Sequence, residues 1–237
     1  MELYNGDCLE ILKSIPDKSV DLIICDLPYG CLSSANGKQD PNVAPSAGRK
    51  IVSQPCAWDV KIDLPSFWEQ VKRIRKNPNS PCLHFCTTKF GFELGASNPA
   101  EFRYDLVWDK QRGVSFLSAN KMPMRSHEMI YVFSKAGAFY KRKDVDTRCV
   151  LSINSFSTTS GKGRHPTEKP VDLYKFLLER FCPAGGTVLD PTFGSGNSGQ
   201  AAKLLGLKYI GIEKDETFFK KAKAILLPEP EAEIIQL

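Results

Sequence analysis

The sequence predicts an α/β fold with a doubly wound, mainly parallel sheet of seven strands, in a single domain of residues 1–237. Two observations support this prediction. Short apolar runs alternate along the chain with segments of helical spacing, which is the pattern of successive strand and helix units. Several of these runs are almost continuously apolar, as expected of parallel strands that helices cover on both faces.

The individual elements follow in order from these patterns. In the first half of the chain they are strands at residues 3–5, 20–25 and 82–86 and helices at 8–15 and 64–76. The second half adds strands at 103–108, 129–133, 187–189 and 208–212 and helices at 170–181, 198–205 and 215–227. The second helix places Phe67, Trp68, Val71 and Ile74 on one side, and Pro170 suits the first turn of the third.

Two polar stretches without periodicity, residues 31–57 and 136–163, interrupt this alternation. Both are too long for ordinary connections, so they are functional loops or partly disordered segments. Positive charge is concentrated nearby, because residues 103–150 hold ten Lys and Arg against five acids, and ten minus five equals the whole chain's +5. Such a cluster is either a solvated face or a surface that attracts a polyanion, and charge alone does not decide between them.

The composition excludes several classes of protein. No apolar run is long enough to span a membrane, and the first residues carry no basic cluster of a secretory signal. The eight cysteines are scattered, several inside apolar strands, and form no CxxC pair, while the three histidines lie far apart. The sequence therefore predicts a cytoplasmic protein with buried thiols and no metal site.

Two strands end abruptly in polar turns that can carry chemistry. The strand at 20–25 runs into Asp26-Leu27-Pro28-Tyr29, and the strand at 187–189 runs into the glycine loop Asp190-Pro-Thr-Phe-Gly194-Ser195-Gly196. Because ligands of open parallel sheets bind at the carboxyl ends of the strands, the two turns are expected to form one site.

The glycine loop is typical of an adenosine site without a phosphate cradle. Its glycines allow close approach of the backbone to a ligand, and Glu213 follows about 20 residues later, where an acid can accept both hydroxyls of a ribose. The loop matches neither the GxGxxG nor the P-loop pattern. The alternative is a tight turn followed by a surface glutamate.

The tetrapeptide supplies what an exocyclic amine of a nucleobase needs. The amine is a poor nucleophile because its lone pair is delocalised into the ring, and two acceptors that grip its hydrogens favour a pyramidal nitrogen. The Asp26 carboxylate is one acceptor, and the Leu27 carbonyl is the other, since Pro28 biases Leu27 toward an extended conformation. Tyr29 offers a flat face for a base removed from its helix. The alternative is a strand that ends in a proline turn.

These motifs, in this order, resemble the amino-directed DNA methyltransferases that use S-adenosylmethionine, in the permuted group called β. Their tetrapeptide, usually D-P-P-Y, comes first and their glycine loop last. The resemblance covers nearly the whole chain, including the segments Gly6-Asp7-Cys8-Leu9-Glu10, Ser126-His127-Glu128, His165-Pro166-Thr167-Glu168-Lys169-Pro170 and Ile210-Gly211-Ile212-Glu213. It implies a Rossmann-like methyltransferase fold. Leu27 departs from the family by replacing the first proline.

The resemblance implies a role for each matching residue. Asp26, Leu27, Pro28 and Tyr29 would form the target-base pocket, and the leading Asp points to adenine N6 rather than cytosine N4. Glu213 would bind the ribose of the cofactor and Asp7 its adenine amine. The expected lining of the cofactor site is completed by Cys8, Thr167, Lys169, Asp190, Pro191, Phe193, Gly194, Ser195 and Gly196, with Asp190 and the glycines at the methionine part and Thr167 and Lys169 near its carboxylate.

The resemblance also implies double-stranded DNA as the partner, and a homodimer is compatible with it. Residues 136–163 would be a short target-recognition segment within the domain, and 31–57 a second DNA-facing loop. Lys141, Arg142, Lys143 and Arg148 are the candidate phosphate contacts, which position a protein without reading sequence. A segment this short predicts a short target.

Other functions make different demands on the sequence. An N4-cytosine DNA methyltransferase is the first alternative, because the tetrapeptide's leading residue is a preference and not a rule. Cytosine C5 chemistry needs a cysteine nucleophile, and neither Pro55-Cys56 nor Pro81-Cys82 has the matching context. RNA and protein amide methyltransferases usually place the glycine loop first. A non-catalytic DNA-binding protein would not need Asp26 and the glycines, which are present.

Overall fold

The computed structural model describes residues 1–28, 60–114, 119–143, 148–153 and 168–228. The first part of the chain contains, in order, β1 (Glu2–Asn5), α1 (Cys8–Leu12), β2 (Leu22–Cys25), α2 (Leu64–Ile74), β3 (Cys82–Cys86), α3 (Thr88–Ser97) and β4 (Phe102–Val114). The rest contains β5 (Arg125–Phe133), β6 (Val150–Ser152), α4 (Val171–Phe181), β7 (Thr187–Asp190), α5 (Asn197–Leu204), β8 (Lys208–Glu213) and α6 (Glu216–Leu226).

The strands of the described residues form one sheet in the order β1-β8-β7-β2-β3-β5-β4-β6. All neighbouring pairs are parallel except those of β5, which runs antiparallel to both β3 and β4. The predicted α/β class and mainly parallel sheet are confirmed. The described sheet has eight strands rather than seven, because β6 lies inside the polar stretch 136–163. The strand is only three residues long, and only Leu151 is buried, so it is too short to stand out from the polar stretch around it.

Helices cover both faces of the sheet. Along β2 the side chains alternate between two cores: Leu22 and Ile24 face the core under α4, α5 and α6, and Ile23 and Cys25 face the core under α1, α2 and α3. All four side chains are buried, which explains why this strand reads as a continuous apolar run. The doubly wound arrangement was therefore predictable from the strand composition.

Helix α3 was not predicted. It packs closely on β5 through Gly91, where a β-carbon would approach the Tyr131 hydroxyl oxygen to 2.9 Å. Glycine permits this contact but lowers helix propensity, so the segment shows only a weak helical pattern.

Within the described residues, no helix combines the length and apolar character that a membrane span requires.

The hairpin of β4 and β5 projects beyond the rest of the sheet. Met129 pairs with Cys86, the last residue of β3, and also with Val107 of β4. From that row β5 extends four residues, back to Arg125, which at ~3.3 Å per residue is roughly 13 Å. β4 reaches the same level at Val114, with an irregular register between Asp109 and Val114. The predicted strands 103–108 and 129–133 were too short, because the polar residues of the projection are paired with each other and not with the core.

Candidate active site

Asp26 directly follows β2, at the carboxyl edge of the sheet. Its side chain is partly exposed, whereas Leu27 is buried in the core. The Thr192 hydroxyl donates a hydrogen bond to the backbone carbonyl of Asp26 at 3.2 Å. The structure thus brings together the two loops that were expected to share a site. Tyr29 and Thr167 lie outside the described residues.

Asp26 belongs to a chain of four charged side chains. The Lys169 ammonium donates to Asp26 Oδ2 and lies 3.6 Å from Glu128 Oε2, and Lys110 donates to Glu128 Oε1. The Lys169 side chain is 4% exposed and that of Asp26 21%. The ammonium also lies 4.7 Å from the centre of the Phe85 ring. From the sequence, Lys169 is expected near the carboxylate of the cofactor, and the link between these four side chains is not predicted.

Opposing effects set the pKa values in the middle of this chain. Burial lowers the pKa of Lys169, but the charges and hydrogen bonds of Asp26 and Glu128 outweigh burial and raise the pKa above its usual value. Burial raises the pKa of Glu128, but Lys169 and Lys110 outweigh it and leave that pKa below its usual value. Lys169 and Glu128 are therefore both charged at neutral pH.

The glycine loop turns sharply between β7 and α5. Gly194 and Gly196 have φ angles of 52° and 80°, and a β-carbon on Gly196 would approach the Ala222 β-carbon to 3.0 Å. Side chains rarely adopt this backbone conformation, so the loop requires glycine at both positions. The remaining predicted loop residues Pro191, Phe193 and Ser195 are buried around this turn.

Asp190 lies under the glycine loop and is 2% exposed. Its carboxylate accepts hydrogen bonds from the Ser198 hydroxyl at 2.6 Å and from the backbone amide of Thr192 at 3.0 Å. The pKa of Asp190 is raised to about 7, chiefly by burial and in smaller part by the nearby charges of Asp26 and Glu213, while these hydrogen bonds oppose the increase. A cation bound beside Asp190 would therefore favour the ionised form of this carboxylate.

Glu213 ends β8 next to the same loop. One carboxylate oxygen accepts from the Gly194 amide at 2.9 Å and the other from the Asp215 amide at 2.7 Å. Burial raises the pKa of Glu213, and these amide hydrogen bonds oppose the increase. The predicted ribose acceptor therefore holds the glycine loop as well.

Asp7 and Cys8 reach the same edge because β1 pairs with β8. Asp7 caps α1 by accepting from the Leu9 amide at 2.9 Å, and Lys214 lies 3.0 Å from its other oxygen. Burial is the largest single effect and raises the pKa of Asp7, but Lys214 and the backbone amides together outweigh it and lower the pKa below its usual value. Burial raises the pKa of the Cys8 thiol to about 12, so Cys8 is uncharged at neutral pH.

The predicted phosphate contacts lie at the opposite edge of the sheet. The Lys141 amide donates to the Arg180 carbonyl at 2.7 Å, in the last turn of α4, and the Phe139 amide donates to the Asn79 carbonyl at 2.8 Å, just before β3 begins. Arg148 precedes β6 on this same edge. The stretch 136–163 is therefore divided by β6, with Lys141–Lys143 and Arg148 at the amino edge, and residues 144–147 and 154–163 outside the described part.

A second polar group lies in the core beneath Asp26. The His84 Nε2 atom is 3.5 Å from Cys25 Sγ and 3.3 Å from Cys82 Sγ, and all three side chains are buried. Sequence spacing did not predict this group, because Cys25 comes from a neighbouring strand. Structural zinc sites are almost always four-coordinate, and the described residues supply three donors here. The thiols and the imidazole satisfy one another's polar atoms.

Comparison with known proteins gives a consistent picture. A sequence model of the N6/N4 methylase family, described as DNA methylase, matches residues 20–224. The chain is 28% identical to the Type II methyltransferase M.HinfI of Haemophilus influenzae, over 93% of this chain and 67% of that protein. It is 27% identical to the Type II methyltransferase M2.LlaDCHI of Lactococcus lactis subsp. cremoris, over 93% and 87% of the two chains.

Solved structures share the fold. The M1.HpyAVI–SAM complex superposes with a TM-score of 0.70 at 22% identity, over 95% of this chain and 98% of that one. The cytosine-N4-specific PvuII DNA methyltransferase gives a TM-score of 0.70 at 18% identity, over 97% and 87%. At these identities the likeness establishes the architecture and not the target base.

Proposed function

Because the chain belongs to the N6/N4 DNA methylase family, we propose that it transfers a methyl group from S-adenosylmethionine to the N6 amine of adenine in a short DNA target. Amino-directed DNA methyltransfer is the activity of the family; the choice of adenine is the finer part of the proposal. The observation that carries it is the position of Asp26, at the carboxyl end of β2 and joined through Thr192 to the glycine loop.

The residues around Asp26 suit the chemistry of an exocyclic amine. The cofactor supplies the methyl group: the nitrogen lone pair forms the new N–C bond, the C–S bond breaks, and its electron pair stays on sulfur. Asp26 and the Leu27 carbonyl accept hydrogen bonds from the amine and hold its nitrogen pyramidal. The nitrogen then loses one proton, for which the Asp26 carboxylate is the assigned acceptor.

The cofactor half of the site is supported by the residues along the adjoining strand ends. Glu213 and Asp7 are positioned for the hydroxyls and the amine of an adenosine, and the glycine loop offers backbone that approaches a ligand closely. Asp190 is positioned for a positive charge on the methionine part. The similar M1.HpyAVI chain was solved as a SAM complex, in agreement with this assignment.

Adenine is favoured over cytosine by the leading residue of the tetrapeptide. Asp26 stands where, in the resembling enzymes, N4-cytosine chemistry more often has Ser. The alternative is N4-cytosine methylation, which is the specificity of the structurally similar PvuII enzyme. Because that similarity rests on 18% identity, it supports the fold and leaves the base to experiment.

The projecting hairpin is a second candidate DNA surface, on the same edge as Asp26. Lys121 and Arg125 are exposed there, and Met122 and Met124 are 59% and 49% exposed. Cations can contact phosphates, and apolar side chains can wedge between bases. DNA bound over Asp26 would meet this hairpin first, whereas Lys141–Lys143 face away from it.

Methylation-free host DNA provides the test. The chain and its Asp26→Ala variant are expressed separately in a host without DNA methyltransferases, and long-read sequencing then reports modified bases with their sequence context. We expect N6-methyladenine in one short motif, present with the wild type and absent with the variant. N4-methylcytosine would establish the alternative, and no modified base with the wild type would contradict both.

A further inference from the structure

The four charged side chains described above are Asp26, Lys169, Glu128 and Lys110. They extend past the residues that can touch the target base. We propose that Glu128 and Lys110 are positioning residues that orient the Asp26 carboxylate through Lys169. This inference rests on the proposed function for its catalytic consequence. It adds two residues, on β5 and β4, to a site whose predicted members all lie on other elements.

The surroundings of Lys169 show that Asp26 is not its only important partner. The ammonium is almost fully buried, with Asp26 on one side, Glu128 at 3.6 Å on another and the face of Phe85 beneath. A buried charge is costly unless it is paired. Among the described residues, removing Glu128 would leave Asp26 as the single carboxylate facing this cation, and the cation would draw that carboxylate away from the amine.

Lys110 completes the balance of charge. The Glu128 side chain is 16% exposed and that of Lys110 12%. With Lys110 present, the four linked side chains comprise two cations and two anions. Without Lys110, Glu128 would depend on Lys169 alone and would pull the ammonium from Asp26 toward β5. The two substitutions therefore displace Lys169 in opposite directions, and both disturb Asp26.

The four linked charged side chains run across the sheet, and this path gives them a mechanical role. β3 lies between β2 and β5 in the sheet, and Lys169 bridges this gap above Phe85 of β3. The linked charges thus connect Asp26 to the base of the β4–β5 hairpin, where Lys110 and Glu128 lie. A shift of the hairpin base would be transmitted to the catalytic carboxylate.

A purely structural ion pair would behave differently. If Glu128 and Lys110 only brace the hairpin, their loss should lower the melting temperature and DNA affinity but leave the rate of methyl transfer at saturating DNA and cofactor unchanged. A matched control exists in Glu101, whose carboxylate lies 2.8 Å from Arg75 with side chains 10% and 4% exposed. Glu101 directly precedes β4, at the amino edge.

The experiment compares Glu128→Gln, Lys110→Met, Lys110→Arg and Glu101→Gln in the full chain. Single-turnover rates are measured at saturating DNA and S-adenosylmethionine, with both dissociation constants determined separately. We expect Glu128→Gln and Lys110→Met to lose up to about 10²-fold in rate, which is what ~1 Å of misplacement costs, with little change in cofactor affinity. Lys110→Arg should recover most of the rate, and Glu101→Gln should retain it.

A second measurement does not depend on activity. Acylation of Lys169 by an amine-reactive reagent, followed by mass spectrometry, should be faster in Glu128→Gln than in the wild type, because a charge that favours the ammonium is gone. It should be unchanged in Glu101→Gln. Wild-type rates in Glu128→Gln with unchanged Lys169 labelling would overturn the inference. An inactive wild type would contradict the proposed function instead, and the labelling would still decide the link between Glu128 and Lys169.

Discussion

Glu213 accepts a hydrogen bond from the backbone amide of Gly194 at 2.9 Å, which joins the end of β8 to the glycine loop after β7. Its other oxygen accepts from the Asp215 amide at 2.7 Å. An acid predicted to bind a ribose therefore also fixes the loop beside it. Because each carboxylate oxygen has more than one lone pair, Glu213 can keep both amides and still accept ribose hydroxyls.

Glu213→Gln should therefore weaken cofactor binding through two effects. The amide group of glutamine would turn an NH₂ toward one of the two backbone donors, and leaving a buried donor unpaired costs ~1–3 kcal/mol. We expect the S-adenosylmethionine dissociation constant from calorimetry to rise about tenfold or more. Glu216→Gln is the control, because Glu216 is exposed in the first turn of α6 and pairs with Lys220. Equal S-adenosylmethionine affinities for the two variants would show that Glu213 does not belong to the cofactor site.

Asp190 should couple cofactor binding to a proton. Its pKa of about 7, raised by burial and by the charges of Asp26 and Glu213, means that the folded chain keeps a proton that the unfolded chain has released. Its contribution to stability therefore falls as pH rises from 3.8 toward 7. A cationic cofactor favours the ionised form, so binding should release a proton below pH 7. The affinity should increase as pH rises toward 7 and level off above it.

Calorimetry in buffers of different ionisation enthalpy measures the released proton directly. S-Adenosylhomocysteine, which lacks the sulfonium charge, should release less. In Asp190→Asn the side-chain oxygen can still accept from the Thr192 amide, and the NH₂ group can donate to the Ser198 hydroxyl oxygen in place of the bond that Asp190 accepts. This side chain cannot ionise, so the cofactor affinity of the variant should vary less with pH. A pH-independent wild type would contradict the assignment of Asp190 to the cationic part of the cofactor.

Asp26 and Gly194 should separate chemistry from binding. Asp26→Ala should abolish methyl transfer and leave cofactor affinity nearly intact, because Asp26 is expected to touch the amine and not the cofactor. Gly194→Val should do the reverse, since a β-branched side chain is strained at a φ of 52°. Single-turnover assays and calorimetry measure the two quantities. An Asp26→Ala enzyme that keeps more than about a tenth of the rate would be incompatible with its role in holding and deprotonating the amine.

The sequence was sufficient for features that are local in the chain. Strands such as β2 are buried on both faces and read as apolar runs, and Asp26, Asp190 and Glu213 each follow such a run at a strand end. The projecting part of β4 was missed because its residues are mostly polar. β6 was missed because it is only three residues long and lies inside a polar stretch. The strand count was low for the same reason.

Contacts between distant segments were also beyond the sequence. Lys169 and Asp26 are 143 positions apart, and no spacing rule predicts that a lysine near the glycine loop turns to the tetrapeptide instead. The same holds for Lys141–Lys143. Their charge suggested DNA contact, but the backbone hydrogen bonds of Phe139 and Lys141 to Asn79 and Arg180 place this part of the polar stretch at the amino edge.

DNA binding should show which basic surface faces the duplex. Changing Lys121 and Arg125 together to Ala should reduce the slope of log affinity against log salt by about 0.9 per lost phosphate contact. The triple change of Lys141, Arg142 and Lys143 to Ala serves as the comparison at the opposite edge. If the triple variant loses slope and the double variant does not, the amino edge is the DNA surface, as the sequence suggested.

The target base should have to leave the duplex to be methylated. The N6 amine of adenine is paired inside the helix, where the loop after β2 cannot reach it, so the nucleotide must rotate out and stack on Tyr29. Unpairing costs a few kcal/mol, and a mismatch or abasic site opposite the target removes part of that cost in advance. Duplexes of this kind should therefore bind more tightly than the matched duplex.

Tyr29 substitutions test the stacking partner itself. Tyr29→Ala should lose roughly 1–3 kcal/mol of stacking, while Tyr29→Phe and Tyr29→Trp should retain most of it, because they keep an aromatic face. With 2-aminopurine at the target position, fluorescence should rise on binding as the base leaves its neighbours. The rise should be larger with Tyr29→Ala, which cannot quench by stacking. Equal affinity for matched and mismatched targets, together with unchanged fluorescence, would show that the base stays in the helix and that Tyr29 has another role.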